Sequence, residues 1–319
     1  MKTYLFIAIS VLVLFHANDV LADDHTIAEI KTAWEKTAEA TESCRFNWTE
    51  TRQVGDNTSS SYTYSIFLKN TDHLRLERIS KQFDTERNRN ITESYVTTFN
   101  GNEGRSFYGR DFVDAQLYPT GFASIKHSDW DNYHVLPVLF AVRPVNNQFS
   151  PIKNCEYTVA AQTVEVAGRK LLELCPSKLP KESHDVQYVY YVDPKRNFAI
   201  GRIVKKLKDR KLWQLDIANS LNETSGCWIP ESWELKDEST NLHCVVRDVQ
   251  VNLDLEFADS QFVFKFPSHT LITDRTFTKP LVYILREDGR KRIIPSEERR
   301  NGIHYLDYLA AVGKDPGTR

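Results

Sequence analysis

Nine consecutive residues, Val249-Gln-Val251-Asn-Leu253-Asp-Leu255-Glu-Phe257, alternate apolar and polar without a break. In an extended strand successive side chains point to opposite faces, whereas a helix would scatter these five apolar residues around its circumference. The segment therefore predicts antiparallel sheet with one buried face and one wet face. The same alternation runs through Cys44 to Thr51, Tyr62 to Leu68 and His73 to Ile79, before a charged, loop-like stretch from Lys81 to Asn90. Tyr95 to Phe99 and Arg105 to Tyr108 flank Asn100-Gly101-Asn102-Glu103-Gly104, a hairpin signal with glycine where positive φ is needed. Further strands are predicted over Val186 to Val192, Phe198 to Lys206, Lys211 to Ile217, Trp228 to Leu235 and Leu242 to Val246. An amphipathic helix is predicted over Thr26 to Thr41, with Ile27, Ile30 and Trp34 at helical spacing, and a second from Trp130 to Val142, limited by Pro137. The class is mainly β (α+β), with about ten or eleven strands.

Composition narrows the classes of function. With 41% hydrophobic residues, 12 glycines and a formal charge of −2, the chain is neither disordered nor collagen-like, and it lacks the basic excess of a nucleic-acid-binding domain. Lys2, the apolar run Tyr4 to Phe15 and Val20-Leu21-Ala22 read as a signal peptide over residues 1–22, cleaved after Ala22, with no transmembrane span afterwards. Periplasmic or secreted localisation follows, and Met1 is the only methionine. In an oxidising compartment the cysteines are worth pairing. Two disjoint pairs among Cys44, Cys155, Cys175, Cys227 and Cys244 can be chosen in many ways. Cys155 with Cys175 is a candidate across a turn at Ala167-Gly168, and Cys227 with Cys244 across the turn from Asp237 to Asn241. Cys44 is then left as a small buried hydrophobe.

The order of elements and several phrases resemble the periplasmic lipoprotein-carrier (LolA-like) family over roughly residues 26 to 275. The phrases are Phe262-Val-Phe264-Lys-Phe266-Pro267 with Thr270-Leu-Ile272-Thr-Asp274, Val96 to Tyr108 around Gly101 and Gly104, and Tyr191-Val-Asp193-Pro194-Lys195 followed by Ile200 to Val204. Ser268-His269 stands where the family usually has glycine. The resemblance implies a strongly curved antiparallel sheet or incomplete barrel, covered by helices, with a cavity for acyl chains. Residues able to line that cavity are Phe46, Trp48, Tyr62, Tyr64, Ile66, Leu74, Leu76, Trp213, Trp228 and Trp233. The implied function is a non-covalent carrier of a hydrophobic ligand such as lipid or lipoprotein acyl chains. The alternative is an envelope structural or protein-interaction module on the same fold.

Residues 23–275 form the curved-sheet domain in this reading, and 276–319 a hairpin and short helix. Leu281 to Ile294 carries the turn signal Asp288-Gly289, and Ser296 caps a helix presenting Tyr305, Tyr308 and Leu309. Arg290, Lys291 and Arg292 at the hairpin tip are candidates for contact with an envelope protein or anionic headgroups. Nucleophile-elbow, zinc-protease, phosphate-loop and dinucleotide patterns are absent, so the expectation is a non-enzyme without cofactor or metal. His127 with Asp129 and His184 with Asp185 are too ordinary to constitute a catalytic pair. Asn47, Asn57, Asn90 and Asn222 begin glycosylation triplets, which matter only in a eukaryotic secretory route.

Overall fold

The computed structural model describes residues 26–297, apart from 56–59, 85–88, 114–115, 126–135, 145–155, 178–185 and 209, together with residues 305 and 309. The expected signal peptide lies outside the described residues, as do Cys155, Tyr308 and both His/Asp pairs. The apolar alternation becomes strand: sixteen strands among the described residues join one curved sheet. The first set is β1 (Ser43–Val54), β2 (Ser60–Lys69), β3 (His73–Asp84), β4 (Arg89–Asn100), β5 (Glu103–Val113) and β6 (Gln116–Ile125). The second is β7 (Tyr157–Val166), β8 (Arg169–Pro176), β9 (Val186–Asp193), β10 (Ala199–Leu207), β11 (Arg210–Asn222), β12 (Cys227–Asp237) and β13 (Leu242–Leu253). Three short strands follow: β14 (Leu271–Arg275), β15 (Leu281–Leu285) and β16 (Lys291–Ile293).

Sixteen exceeds the ten or eleven expected, for local reasons. β6 contains Pro119 and Gly121, which read as breakers, and β14 to β16 are five residues or shorter. The charged stretch after Ile79 is a strand as far as Asp84, because its main chain pairs with β4 down to Asp84 opposite Arg89. Main-chain pairing needs no apolar pattern.

The two large strand sets meet at β1, which pairs with β2 on one side and β13 on the other, with Cys44 opposite both Leu68 and Leu253. Every pairing is antiparallel except that of β14 with β6. One face of the sheet, here the inner face, carries the main core. Helix α1 (Ile27–Ala40) begins with a reciprocal cap: the Glu29 amide donates to Thr26 Oγ1 at 3.2 Å and the Thr26 amide to Glu29 Oε2 at 2.8 Å. Its buried Ile30 and Trp34 join that core, and Trp34 Nε1 donates to the Phe198 carbonyl at 2.8 Å. Helix α2 (Leu136–Val142) supplies Val138, Leu139 and Phe140 to the same core, and the expected part of this helix from Trp130 to Val135 lies outside the described residues. Arg143 ties the two helices, donating to the Thr41 and Glu42 carbonyls at 3.2 and 2.6 Å.

The segment from Val249 to Phe257 keeps its in-out burial throughout, but sheet pairing stops at Leu253. Asp254 there adopts φ 54°, a left-handed conformation that aspartate tolerates, and turns the chain out of the sheet. Residues 255–270 then cross the outer face as a strap. Phe257 packs edge-on against Phe67 at 5.8 Å, Phe262 against His73 at 5.3 Å, and Phe264 stacks on Phe107 at 5.1 Å. Polar contacts fix the strap's main chain: Lys69 donates to the Phe257 carbonyl, Arg75 to Gln261 and Arg105 to Phe264, at 2.8 to 2.9 Å. Gly121 is required at the far end, since a Cβ there would stand 2.6 Å from the Phe266 ring. The strap delivers the chain to β14, which extends the sheet beyond β6.

Candidate functional site

Each candidate lining residue has a defined place. Phe46, Trp48, Tyr64, Ile66, Leu74, Leu76, Trp213 and Trp233 are buried in the one inner-face core, four of them (Phe46, Tyr64, Ile66 and Leu76) at 0% exposure. Tyr62 is half-buried at its margin, and half-buried Trp228 lies under the Arg196 guanidinium at 4.6 Å. The structure thus gathers most of these side chains and packs them against one another.

Strand register also creates a feature that reading single strands misses. Trp48, Tyr64, Arg78, Tyr95 and Tyr108 lie directly opposite one another on five successive strands, β1 to β5. Trp48 stacks flat on Tyr64 at 5.1 Å and meets Trp233 edge-on at 5.3 Å. Arg78 sits 5.2 Å from the Tyr95 ring, which in turn meets Tyr108 at 4.6 Å. Cross-strand aromatic and cation–π pairs of this kind stiffen a sheet. The row begins in the core and ends at Tyr108, 37% exposed.

Beside it lies a buried charge pair. Glu50 is fully buried and bonds Arg52, which also bonds Tyr64, while Tyr64 Oη stands 3.5 Å from Glu50 Oε1. Burial first, and then the Glu50 charge, push the Tyr64 phenol above its ordinary range. Arg52 has burial acting to lower it, yet Tyr64 and Glu50 hold it above the usual arginine value.

The cysteine pairing needs correction at one site. Cys244 lies opposite Leu235, whereas Cys227 sits at the far end of β12, opposite Asn222. The two do not flank the Asp237 to Asn241 turn evenly, and both are free thiols, so no Cys227–Cys244 bridge forms. Cys175 is also free; Thr158 faces it across β7 and β8, and its thiol contacts Glu173 Oε1 at 3.0 Å. Burial raises Cys44 and Cys244 to about 12, so both are neutral thiols at pH 8. We expect iodoacetamide at pH 8 to leave Cys44 and Cys244 unmodified in the folded protein and to label both in urea, as read by peptide mass spectrometry. Rapid native labelling of either would show that the core opens.

On the outer face, residues of the strap and of the C-terminal hairpin enclose a groove of about 400 Å³. Phe266, Phe277 and Tyr283 supply its aromatic surface and Arg105, Lys265 and Lys291 its positive charge. Phe277 is 53% exposed. Of the three basic residues expected to act at the hairpin tip, Arg290 is bound by Asp288 at 2.6 Å and Lys291 lies over the Tyr283 ring at 4.4 Å. Arg292 is half-buried, whereas Arg290 and Lys291 are exposed. The segment is also less separate, since β15 pairs with β14 and Tyr305 donates to the His269 carbonyl at 2.5 Å.

No family model matches this chain, and no curated protein matches it. Solved structures do. A putative outer-membrane lipoprotein-sorting protein domain from Vibrio parahaemolyticus aligns over 73% of this chain and 94% of its own, at 10% identity and TM-score 0.47. A LolA superfamily protein from Nitrosomonas europaea aligns over 74% and 97%, at 12% identity and TM-score 0.45. The MucA/MucB complex of Pseudomonas aeruginosa aligns over 74% and 61%, at 13% identity and TM-score 0.27. Among the described residues no helix is long and apolar enough to cross a membrane, and no group of His, Cys, Asp and Glu is placed to hold a metal ion.

Proposed function

We propose that this chain is a non-enzymatic envelope protein that works by binding another protein on its outer surface. The observation that carries the reading is the seat between strap and hairpin, where exposed Phe277 stands beside Phe266, Tyr283 and three cations. An aromatic anchor ringed by polar and charged side chains is the anatomy of a protein-binding patch. The inner face supports the carrier reading less well. An acyl chain gains about 0.8 kcal/mol per buried CH₂, but only where space exists to receive it. Phe46, Tyr64, Ile66 and Leu76 already bury their whole surface against protein.

Native mass spectrometry of protein purified from its own envelope separates the two readings. A polypeptide adduct that disappears in Phe277→Asp, with unfolding temperature unchanged, is the expected result. A lipid adduct retained by Phe277→Asp and lost on filling the inner face would restore the carrier reading.

A further inference from the structure

A second groove, of about 260 Å³, lies on the outer face of the other half of the sheet. The turn between β7 and β8 folds over β10 to make one wall, and Arg169 at its tip donates through Nη2 to the Ile217 carbonyl on β11 at 3.3 Å. Gly201 gives the Leu171 side chain its room, since a Cβ there would stand 3.1 Å from it, and would touch Arg169 Nη2 at 3.5 Å. The floor is built from small side chains on adjacent strands, with Gly201, Ala218 and Ser232 among them, and Arg247 on β13 forms the opposite side.

The charges here do not cancel. Asp216 is engaged by Arg202 and by Gln214 at 2.7 Å, and Glu234 by Lys236 at 2.9 Å and His243 at 2.7 Å. Asp193 accepts from the Lys195 amide at 3.0 Å and lies 3.5 Å from Arg196 Nε. Two guanidinium groups keep donors to spare. Arg169 pairs with Asp193 Oδ2 across 3.8 Å, yet its buried Nη1 makes no hydrogen bond. Arg247 is exposed and has no ion-pair partner among the described residues. A buried charged donor left unsatisfied is costly, and such groups call for an occupant that satisfies them. Guanidinium forks suit the oxygens of a phosphate, which they bind in pairs.

We propose that this groove is a phosphate-binding site, with Arg169 and Arg247 gripping the phosphate from opposite sides and the Ser232 hydroxyl beneath it. The phosphate comes either free in solution or on a lipid headgroup. The site is independent of the Phe277 seat, so loss of one leaves the other standing.

The test uses the full chain. Calorimetric titration with inorganic phosphate and cosedimentation with phosphatidylglycerol vesicles, against phosphatidylcholine vesicles, give the two arms. Binding in the first arm identifies free phosphate and binding in the second alone identifies a headgroup. Either supports the site if Arg169→Ala and Arg247→Ala each weaken it at least tenfold and Phe277→Asp leaves it unchanged. Arg169→Lys, which keeps the charge but loses the fork, is expected to fall between. Absence of binding in both arms overturns the proposal, as does equal binding by wild type and both alanine variants. Circular dichroism and the unfolding temperature confirm that each variant is folded, and Gly201→Ala, which crowds the groove without removing charge, gives a second route to the same loss.

Discussion

Arg52→Ala should be among the most damaging single changes in this chain, lowering stability by about 3–5 kcal/mol, the cost of leaving one partner of a buried ion pair uncompensated. The substitution removes the cation that bonds the fully buried Glu50 carboxylate. Arg52 also covers the Tyr62 ring at 4.1 Å, so packing is lost along with charge. A domain's whole stability is only about 5–15 kcal/mol, so the urea midpoint should move far toward zero. Removing both charges, as Glu50→Gln with Arg52→Met, should recover much of the loss, because the desolvated carboxylate is then gone. Equal destabilisation in the single and double variants would show that shape, and not charge, is what the pair contributes.

Phe262→Ala should act as strongly but on a different part of the molecule. Phe262 is almost wholly buried and meets His73 and Phe257 edge-on. Truncating a buried phenylalanine costs about 3–5 kcal/mol, from lost transfer energy and the cavity left behind. Here it is the middle anchor of the strap, which is held on either side by the rings of Phe257 and Phe264 and by hydrogen bonds from Lys69, Arg75 and Arg105. Hydrogen exchange should therefore quicken first in β14, β15 and β16, while β1, β2 and β13 keep their protection. Uniform loss of protection would mean that the strap is no weaker a unit than the sheet it crosses.

How much was legible in the sequence follows from which forces act locally. Period-two burial is written residue by residue, so β1, β2 and the hairpin around Gly101 could be read directly; Gly101 indeed takes φ 86°. The end of the alternating segment could not, because Leu255 and Phe257 keep their burial by packing at the sheet's margin and on its outer face after pairing has stopped. β6 was hidden by Pro119 and Gly121, and the glycine is there for the sake of Phe266, some 145 residues away along the chain. The apolar inner-face residues were visible, whereas their tight packing depends on helices and strands brought together only by the fold. The Trp48 to Tyr108 row and the Arg169 groove depend on register between strands, and no single stretch of sequence states a register. The Cys227–Cys244 expectation failed for the same reason: it counted residues to a turn instead of the pairing that the turn imposes.

The seam between β1 and β13 sets a timetable for the chain's birth. Cys44 and Leu253, opposite each other in the finished sheet, are more than two hundred residues apart. At roughly 5–20 residues per second of synthesis, β1 exists for about 10–40 s before the strand that will cover its second edge has been made. Throughout that interval a twelve-residue strand with one edge unpaired is available to any other extended chain nearby. Contacts this distant also slow folding itself. A chain built around such a seam should depend on whatever holds nascent polypeptides unfolded, and its misfolded form should be an intermolecular sheet that begins at β1.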